Sequence, residues 1–194
     1  MYGMVHRAVR QMVVEREGAQ AWHEIELAAG ISSTEMVGLV VYDDNVTLRI
    51  LGATAERMGV STNQVLKYFG RYWLKFIDDK AYSAIMDYAG KDLVSLLTNL
   101  DRLHAAVLAA MPKARVPSFT VLESDENGLT VRYQSQRRGL EPLVIGLLHG
   151  LLEKFDLEGS VDAIPADNGT IEFRISHRQK VADLTSKGKK DLAA

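Results

Sequence analysis

The hydrophobic period of this chain changes at Pro117, and that change restricts the folds open to it. Ahead of Pro117 apolar residues recur at three- and four-residue steps, the spacing of helices; behind it the pattern is mixed, with alternating, strand-like stretches around one further helix. Tyr2 to Glu17 carries Val5, Val9, Met12 and Val13 at helical spacing, with Gly18 as a stop. Ala19 to Ala29 repeats the pattern with Trp22, Ile25 and Leu27 before Gly30. Asp43 or Asp44 is placed to cap a helix that runs to Met58 and ends at Gly59. Ser61-Thr62-Asn63-Gln64 has the form of a capping box and opens the helix that carries Trp73. From Lys91 to Ala110 one helix is expected, with Leu93, Leu96, Leu97, Leu100, Leu103, Val107 and Leu108 on its apolar stripe.

Past Pro117, the stretches 119–123 and 129–134 flank a hairpin-like turn at Asp125-Glu126-Asn127-Gly128. Pro142 to Phe155 reads as an apolar helix with proline in its first turn. Residues 160–164 and 170–176 read as a second strand pair around Asp167-Asn168-Gly169. The expected fold is α+β, a helical N-terminal half joined to a four-stranded antiparallel sheet with one further helix. Residues 1–184 form the expected domain, and 185–194 a polar, flexible tail.

Composition sets outer limits. A chain of 194 residues with 47% hydrophobic content can bury one real core. Lys and Arg number 23 against 25 Asp and Glu, so nothing points to a nucleic-acid surface. The chain has no cysteine, which excludes disulfides, a thiolate metal ligand and a thiol switch within it. No apolar run approaches the length of a membrane span and the N-terminus lacks a signal-peptide pattern, so the expected compartment is the cytoplasm.

Two features carry chemistry. The run Gly128 to Tyr133 reads as a strand, and strand geometry puts Tyr133, Ser135 and Arg137 on one face. A phenol, a hydroxyl and a guanidinium converging from one side suit carboxylates. A solvated strand end explains the same motif taken alone. The second feature is His104, which falls on the apolar stripe of its helix. Such a histidine is ordinarily a core residue satisfied by a hydrogen bond; the other reading is an axial ligand to haem iron, packed among leucines. A haem carries two carboxylates, so the two features answer opposite ends of one ligand.

At this point the sequence resembles the H-NOX domains, haem-based gas sensors related to the haem domain of soluble guanylate cyclase. The resemblance covers nearly the whole chain. It runs from Met1-Tyr2-Gly3-Met4-Val5 through Phe69-Gly70-Arg71-Tyr72-Trp73 and Leu100-Asp101-Arg102-Leu103-His104. It continues in Tyr133-Gln134-Ser135-Gln136-Arg137 and Gly146-Leu147-Leu148-His149-Gly150. The resemblance implies haem b between the two halves, with His104 as axial iron ligand. It implies that Tyr133, Ser135 and Arg137 hold the propionates, and that Pro117, thirteen residues after the histidine, presses on the porphyrin.

The remaining polar residues give no catalytic constellation, and the chain reads as a sensor rather than an enzyme. His149 is assigned a structural role, and His6, His23 and His177 lack metal-ligand spacing. The pairs Asp43-Asp44 and Asp78-Asp79 read as helix-end charges. Gly139, Gly146 and Gly150 do not form a dinucleotide fingerprint. On gas selectivity, oxygen binders of the family supply a distal tyrosine. Anchored on Gly146 that position is Leu143, and counted from Tyr133 it is Pro142; neither has a hydroxyl. The same resemblance places Val5, Val9 and Leu147 on the distal wall, with Trp73 the one donor nearby, assigned to packing. The resulting expectation is a sensor that binds NO, and also CO, at ferrous haem. NO would weaken the iron bond to His104, and the freed helix would signal to a partner such as a histidine kinase or a diguanylate cyclase. The alternatives are an oxygen sensor using Trp73, and a module without iron that binds another apolar carboxylate.

Overall fold

Local sequence signals set the ends of most elements. In the computed structural model, which describes residues 1–32, 36–77 and 89–180, helix α1 spans Gly3–Glu17 and α2 spans Ala19–Ala29. Helix α3 (Asp44–Met58) is capped by Asp43, whose carboxylate accepts from the Asn45 amide at 2.7 Å. That leaves the neighbouring Asp44 for other work. Helix α4 (Thr62–Ile77) opens on the expected box: the Gln64 amide donates to Ser61 Oγ at 3.3 Å, and the Ser61 amide to Gln64 Oε1 at 3.0 Å.

Two expectations for the helical half are corrected. Leu27 is 69% exposed, because α2 buries Ala21, Trp22, Ile25 and Ala29, and Leu27 falls on the other side of that face. The single helix expected over residues 91–110 is two, α5 (Leu93–Thr98) and α6 (Leu100–Ala110). The break is at Asn99, whose side-chain amide donates to the Ala89 carbonyl at 2.9 Å. Asn and Thr tolerate such a break better than the leucines around them. Asp78, Asp79 and the tail 185–194 lie outside the described residues.

The sheet is four-stranded and antiparallel in the order β1-β2-β4-β3. Strands β1 (Ser118–Ser124) and β2 (Gly128–Gln134) meet at a turn where the Asp125 carboxylate accepts from the amides of Asn127 and Gly128. Helix α7 (Glu141–Lys154), with Pro142 in its first turn, separates that hairpin from β3 (Leu157–Pro165) and β4 (Ile171–Gln179). The second hairpin is longer than its apolar residues suggested, because backbone pairing continues through polar positions from Leu157↔Gln179 to Pro165↔Ile171. Residues Leu129, Val131, Tyr133, Phe173 and Ile175 face inward.

The described residues form two apolar cores. One joins α1, α2, α3 and the first turns of α4 around Val9, Trp22, Ile25, Ile50 and Phe69. The other joins α5, α7 and the sheet around Leu96, Leu97, Leu148, Val131 and Phe173. Helices α4 and α7 bridge them: Trp73 and Leu143 pack on the first core, Leu74 and Val144 on the second. The bridge is close because three glycines lie in it. A Cβ at Gly70 would meet the Leu143 carbonyl, one at Gly146 the Lys67 carbonyl, and one at Gly150 the Leu74 side chain.

Gly146→Ala should therefore separate α4 from α7 and cost about 1–3 kcal/mol. Gly52→Ala on the exposed face of α3, where an added Cβ meets nothing within 4 Å, should instead stabilise by about 0.5–1 kcal/mol. Thermal denaturation of both variants checks the contrast; equal effects would mean the glycine contact is not what fixes this crossing.

Candidate functional site

A cavity of about 290 Å³ lies between the two cores. Helices α4 and α7 give it Phe69, Trp73, Leu74, Ile77, Leu143 and Leu147. The α5–α6 side gives Leu96, Leu97, Leu100, Leu103 and His104, and the sheet gives Phe119 and Tyr133. No residue of α6 is fully buried, since its apolar face turns to this cavity rather than to protein. That is why His104, on the expected stripe, is only half-buried.

His104 is prepared as a ligand. Its Nδ1 lies 2.8 Å from the Pro117 carbonyl oxygen. A carbonyl can only accept, so Nδ1 carries the proton and Nε2 keeps its lone pair. Burial pulls its pKa below the ordinary value, outweighing the opposing Pro117 bond and the Asp101 charge, and so favours the neutral ring that metal binding needs. The ring leans on Phe119 with centroids 6.1 Å apart, and Phe119 leans on Tyr133 at 5.3 Å. Helix α6 is tied beside it by Asp101, whose carboxylate accepts from Ser118 Oγ at 2.5 Å and from the Phe119 amide at 2.8 Å.

The polar end of the cavity is at Tyr133, Ser135 and Arg137. Strand β2 stops at Gln134, so Ser135 and Arg137 belong to the segment after it, yet all three converge. Ser135 Oγ accepts from the Arg137 amide at 3.0 Å, which fixes the bend. Burial raises the Tyr133 pKa and keeps its phenol a donor. The Arg137 guanidinium donates from Nε and Nη2 to the two Asp44 oxygens at 3.1 and 3.3 Å, and from Nη1 to the Arg115 carbonyl at 2.8 Å. Asp44 also accepts from the Met1 ammonium at 2.7 Å. The reading of Asp44 as a plain helix-end charge is thus incomplete: Asp43 does the capping, and Asp44 ties Arg137 to the N-terminal core.

Of the residues singled out in the sequence, Val5, Trp73, His104, Pro117, Tyr133, Ser135, Arg137, Leu143 and Leu147 line this one cavity. Val9 and Pro142 do not. Val9 is 1% exposed and sits inside the N-terminal core, and of the two α7 positions it is Leu143 that faces the cavity. His149 lies outside it on α7, its pKa lowered by burial and then by Arg71. His6 is fully buried with Nε2 2.8 Å from Thr47 Oγ1, and burial lowers it to about 4. Two residues had gone unassigned, Asp101 and Arg115. Asp101 stands one helical turn before His104, a signal that it would share its side of α6.

Among the described residues no three His, Asp or Glu side chains form a metal cage. A single imidazole with a free Nε2, apolar walls and one carboxylate-binding end fit a metal that brings its own macrocycle. The site is that of a haem-binding sensor domain. The comparisons give the same answer. A family model described as Haem-NO-binding matches residues 2–162. The chain is 29% identical to soluble guanylate cyclase gcy-33 of Caenorhabditis elegans, over 80% of this chain and 16% of that protein. It is 24% identical to soluble guanylate cyclase 89Da of Drosophila melanogaster, over 80% and 23%. The chain thus spans less than a quarter of the length of these relatives. An H-NOX protein from S. oneidensis in the Fe(II)NO ligation state superposes with a TM-score of 0.81 at 21% identity, covering 92% of this chain and 100% of that one. An oxygen-binding H-NOX domain related to soluble guanylate cyclases superposes with 0.75 at 20% identity, covering 93% and 96%. The chain belongs to the haem-NO-binding family, the H-NOX domains, which bind haem and sense gases. No helix among the described residues is long and apolar enough to cross a membrane.

The Arg137 hydrogen bonds hold the Asp44 carboxyl down at about 2. Its contribution to stability is complete above the ordinary value of 3.8 and is lost as pH falls towards about 2. Thermal denaturation followed from pH 4 to 2 should therefore lose stability less steeply in Asp44→Asn than in wild type; parallel curves would mean that the pair contributes nothing.

Proposed function

We propose that this domain is a haem-based nitric oxide sensor, with His104 as sole protein ligand to the iron of haem b and no catalysis of its own. One observation carries the choice of gas. Among the described residues, the wall formed by α1, α4 and α7 contributes Val5, Phe69, Leu74, Ile77, Leu143 and Leu147 and no hydroxyl or amide side chain. Dioxygen on ferrous haem is stabilised by a distal hydrogen-bond donor, and nitric oxide does not require one. Leu143 cannot supply it. The one side-chain N–H that the described residues give this wall belongs to Trp73, which stacks on Phe76 at 5.7 Å and meets Phe69 edge-on at 5.9 Å. We assign Trp73 to packing; an oxygen sensor that uses its indole is the second reading.

When bound, ferrous haem supplies the coordination site for the gas; the rest is done by the chain. Tyr133, Ser135 and Arg137 would bind at its carboxylate edge, and Pro117, which lines the cavity and fixes the His104 ring, would bear on the macrocycle. Output runs through α6. With no fully buried residue, this helix is retained by His104, by Leu100 and Leu103, and by Asp101 on the start of β1. Release of His104 would remove the strongest of these, and the loosened helix is what a partner reads. A histidine kinase or a diguanylate cyclase in the cytoplasm is the proposed partner.

Ligation is tested by His104→Gly, which should lose haem on purification unless imidazole is supplied, while His149→Ala keeps the wild-type ferrous spectrum. The reverse pattern would assign the ligand wrongly. For the gas, reduced protein opened to air should keep its unliganded Soret band, and NO should move that band to shorter wavelength as His104 leaves. A band that shifts in air in wild type, and no longer does so in Trp73→Phe, would make this an oxygen sensor. Asp101→Asn weakens the tether of α6 by about 1 kcal/mol, so NO should release His104 faster in stopped-flow mixing; an unchanged rate would remove Asp101 from the output path.

A further inference from the structure

The carboxylate end of the cavity supplies too little positive charge for a porphyrin. Arg137 already gives three of its N–H groups to Asp44 and to the Arg115 carbonyl, which leaves two of five for a ligand. Its charge is answered by Asp44. Even with the Met1 ammonium on the same carboxylate, the cluster keeps a single net positive charge. Tyr133 and Ser135 are neutral donors. A porphyrin of the haem b type brings two carboxylates, so the second lacks a countercharge.

Arg115 stands where that charge is missing. The cavity opens into an outer cleft of about 970 Å³. Six residues line both spaces and so mark the mouth between them: Met1, Val5, Trp73, Arg115, Val116 and Arg137. Among these, Arg115 is the only cation besides Arg137 and the chain terminus. It is exposed, and among the described residues its guanidinium has no hydrogen-bond or ion-pair partner. Lys113, the other free cation nearby, lines the cleft but not the cavity. The bond from Arg137 Nη1 to the Arg115 carbonyl fixes the two arginines side by side through the backbone.

We propose that Arg115 is a second carboxylate-binding residue, taking one haem carboxylate at the mouth while Tyr133, Ser135 and Arg137 take the other. The proposal rests on the reading of the cavity as a haem site. It also ties the segment between α6 and Pro117 to the cofactor, so that this connection is anchored at two points near its β1 end, Arg115 and the Pro117 carbonyl.

The test is haem transfer from the loaded protein to excess apomyoglobin. Arg115→Gln should release haem roughly three- to tenfold faster than wild type, the range for one partly exposed charge-assisted contact. Arg115→Lys should stay near the wild-type rate because it keeps the charge. Loaded with the dimethyl ester of haem, which lacks both carboxylates, wild type and Arg115→Gln should release alike. Unmodified haem leaving Arg115→Gln at the wild-type rate would overturn the proposal and leave the haem reading intact. A faster loss from Arg115→Gln that persists with the diester would also overturn it, by showing a packing effect. A wild-type protein that purifies colourless and takes up no added haem would overturn the haem reading itself, and this proposal with it.

Discussion

Everything at the site depends on how closely α4 and α7 approach each other. These two helices belong to both cores, and their contact sets the distance between the cores. Side chains at Gly70, Gly146 and Gly150 would push them apart at the backbone. At Gly70 and Gly146 the contact is glycine to backbone, so it cannot be adjusted by rotamer changes as the Leu74 contact at Gly150 can. Trp73 and Leu143, one residue-turn from these glycines on either helix, are held at a fixed spacing across the cavity wall. The wall is stiff on this side.

The opposite side is built on different physics. Helix α6 meets the cavity with Leu100, Leu103 and His104, and it meets the sheet through a few polar bonds. Its tautomer, its ring orientation and its attachment to β1 all pass through residues 117–119, since Pro117 accepts from His104 while Ser118 and Phe119 donate to Asp101. A stiff wall facing a lightly held helix is the asymmetry a sensor needs: the ligand's geometry is imposed from one side and reported on the other.

How much of this was legible in the sequence follows from the range of each interaction. Helix ends governed by neighbours within four residues, such as Asp43, the Ser61–Gln64 box, Gly30 and Gly59, were readable. The convergence of Tyr133, Ser135 and Arg137 was expected from strand alternation, but only Tyr133 lies in β2, and the bend after Gln134, fixed by the Arg137 amide on Ser135 Oγ, brings in the other two. The break at Asn99 was not, since the leucine period runs straight across it and only the Ala89 carbonyl shows why the helix stops. Leu27 fits a helical count but lies on the far side of a face that Trp22 and Ile25 define. The partnership of Asp44 with Arg137 spans 93 residues and is visible only in three dimensions. Val9 illustrates the limit of resemblance: it lies one turn after Val5 on α1, yet Val5 lines the cavity and Val9 is buried in the N-terminal core.

Helix α6 has no fully buried residue of its own. An amphipathic helix of eleven residues is too short to persist on propensity alone. Its persistence must come from whatever its apolar face and its imidazole meet, so the free energy that orders the helix and the free energy that retains the ligand are coupled. Such a coupling is reciprocal by thermodynamic necessity. A protein that grips α6 from outside in its docked position tightens the bond at His104, and one that prefers α6 displaced makes the domain more sensitive to the gas. Seen this way the partner is itself an effector, and the gas affinity of the isolated domain need not be the affinity of the assembly.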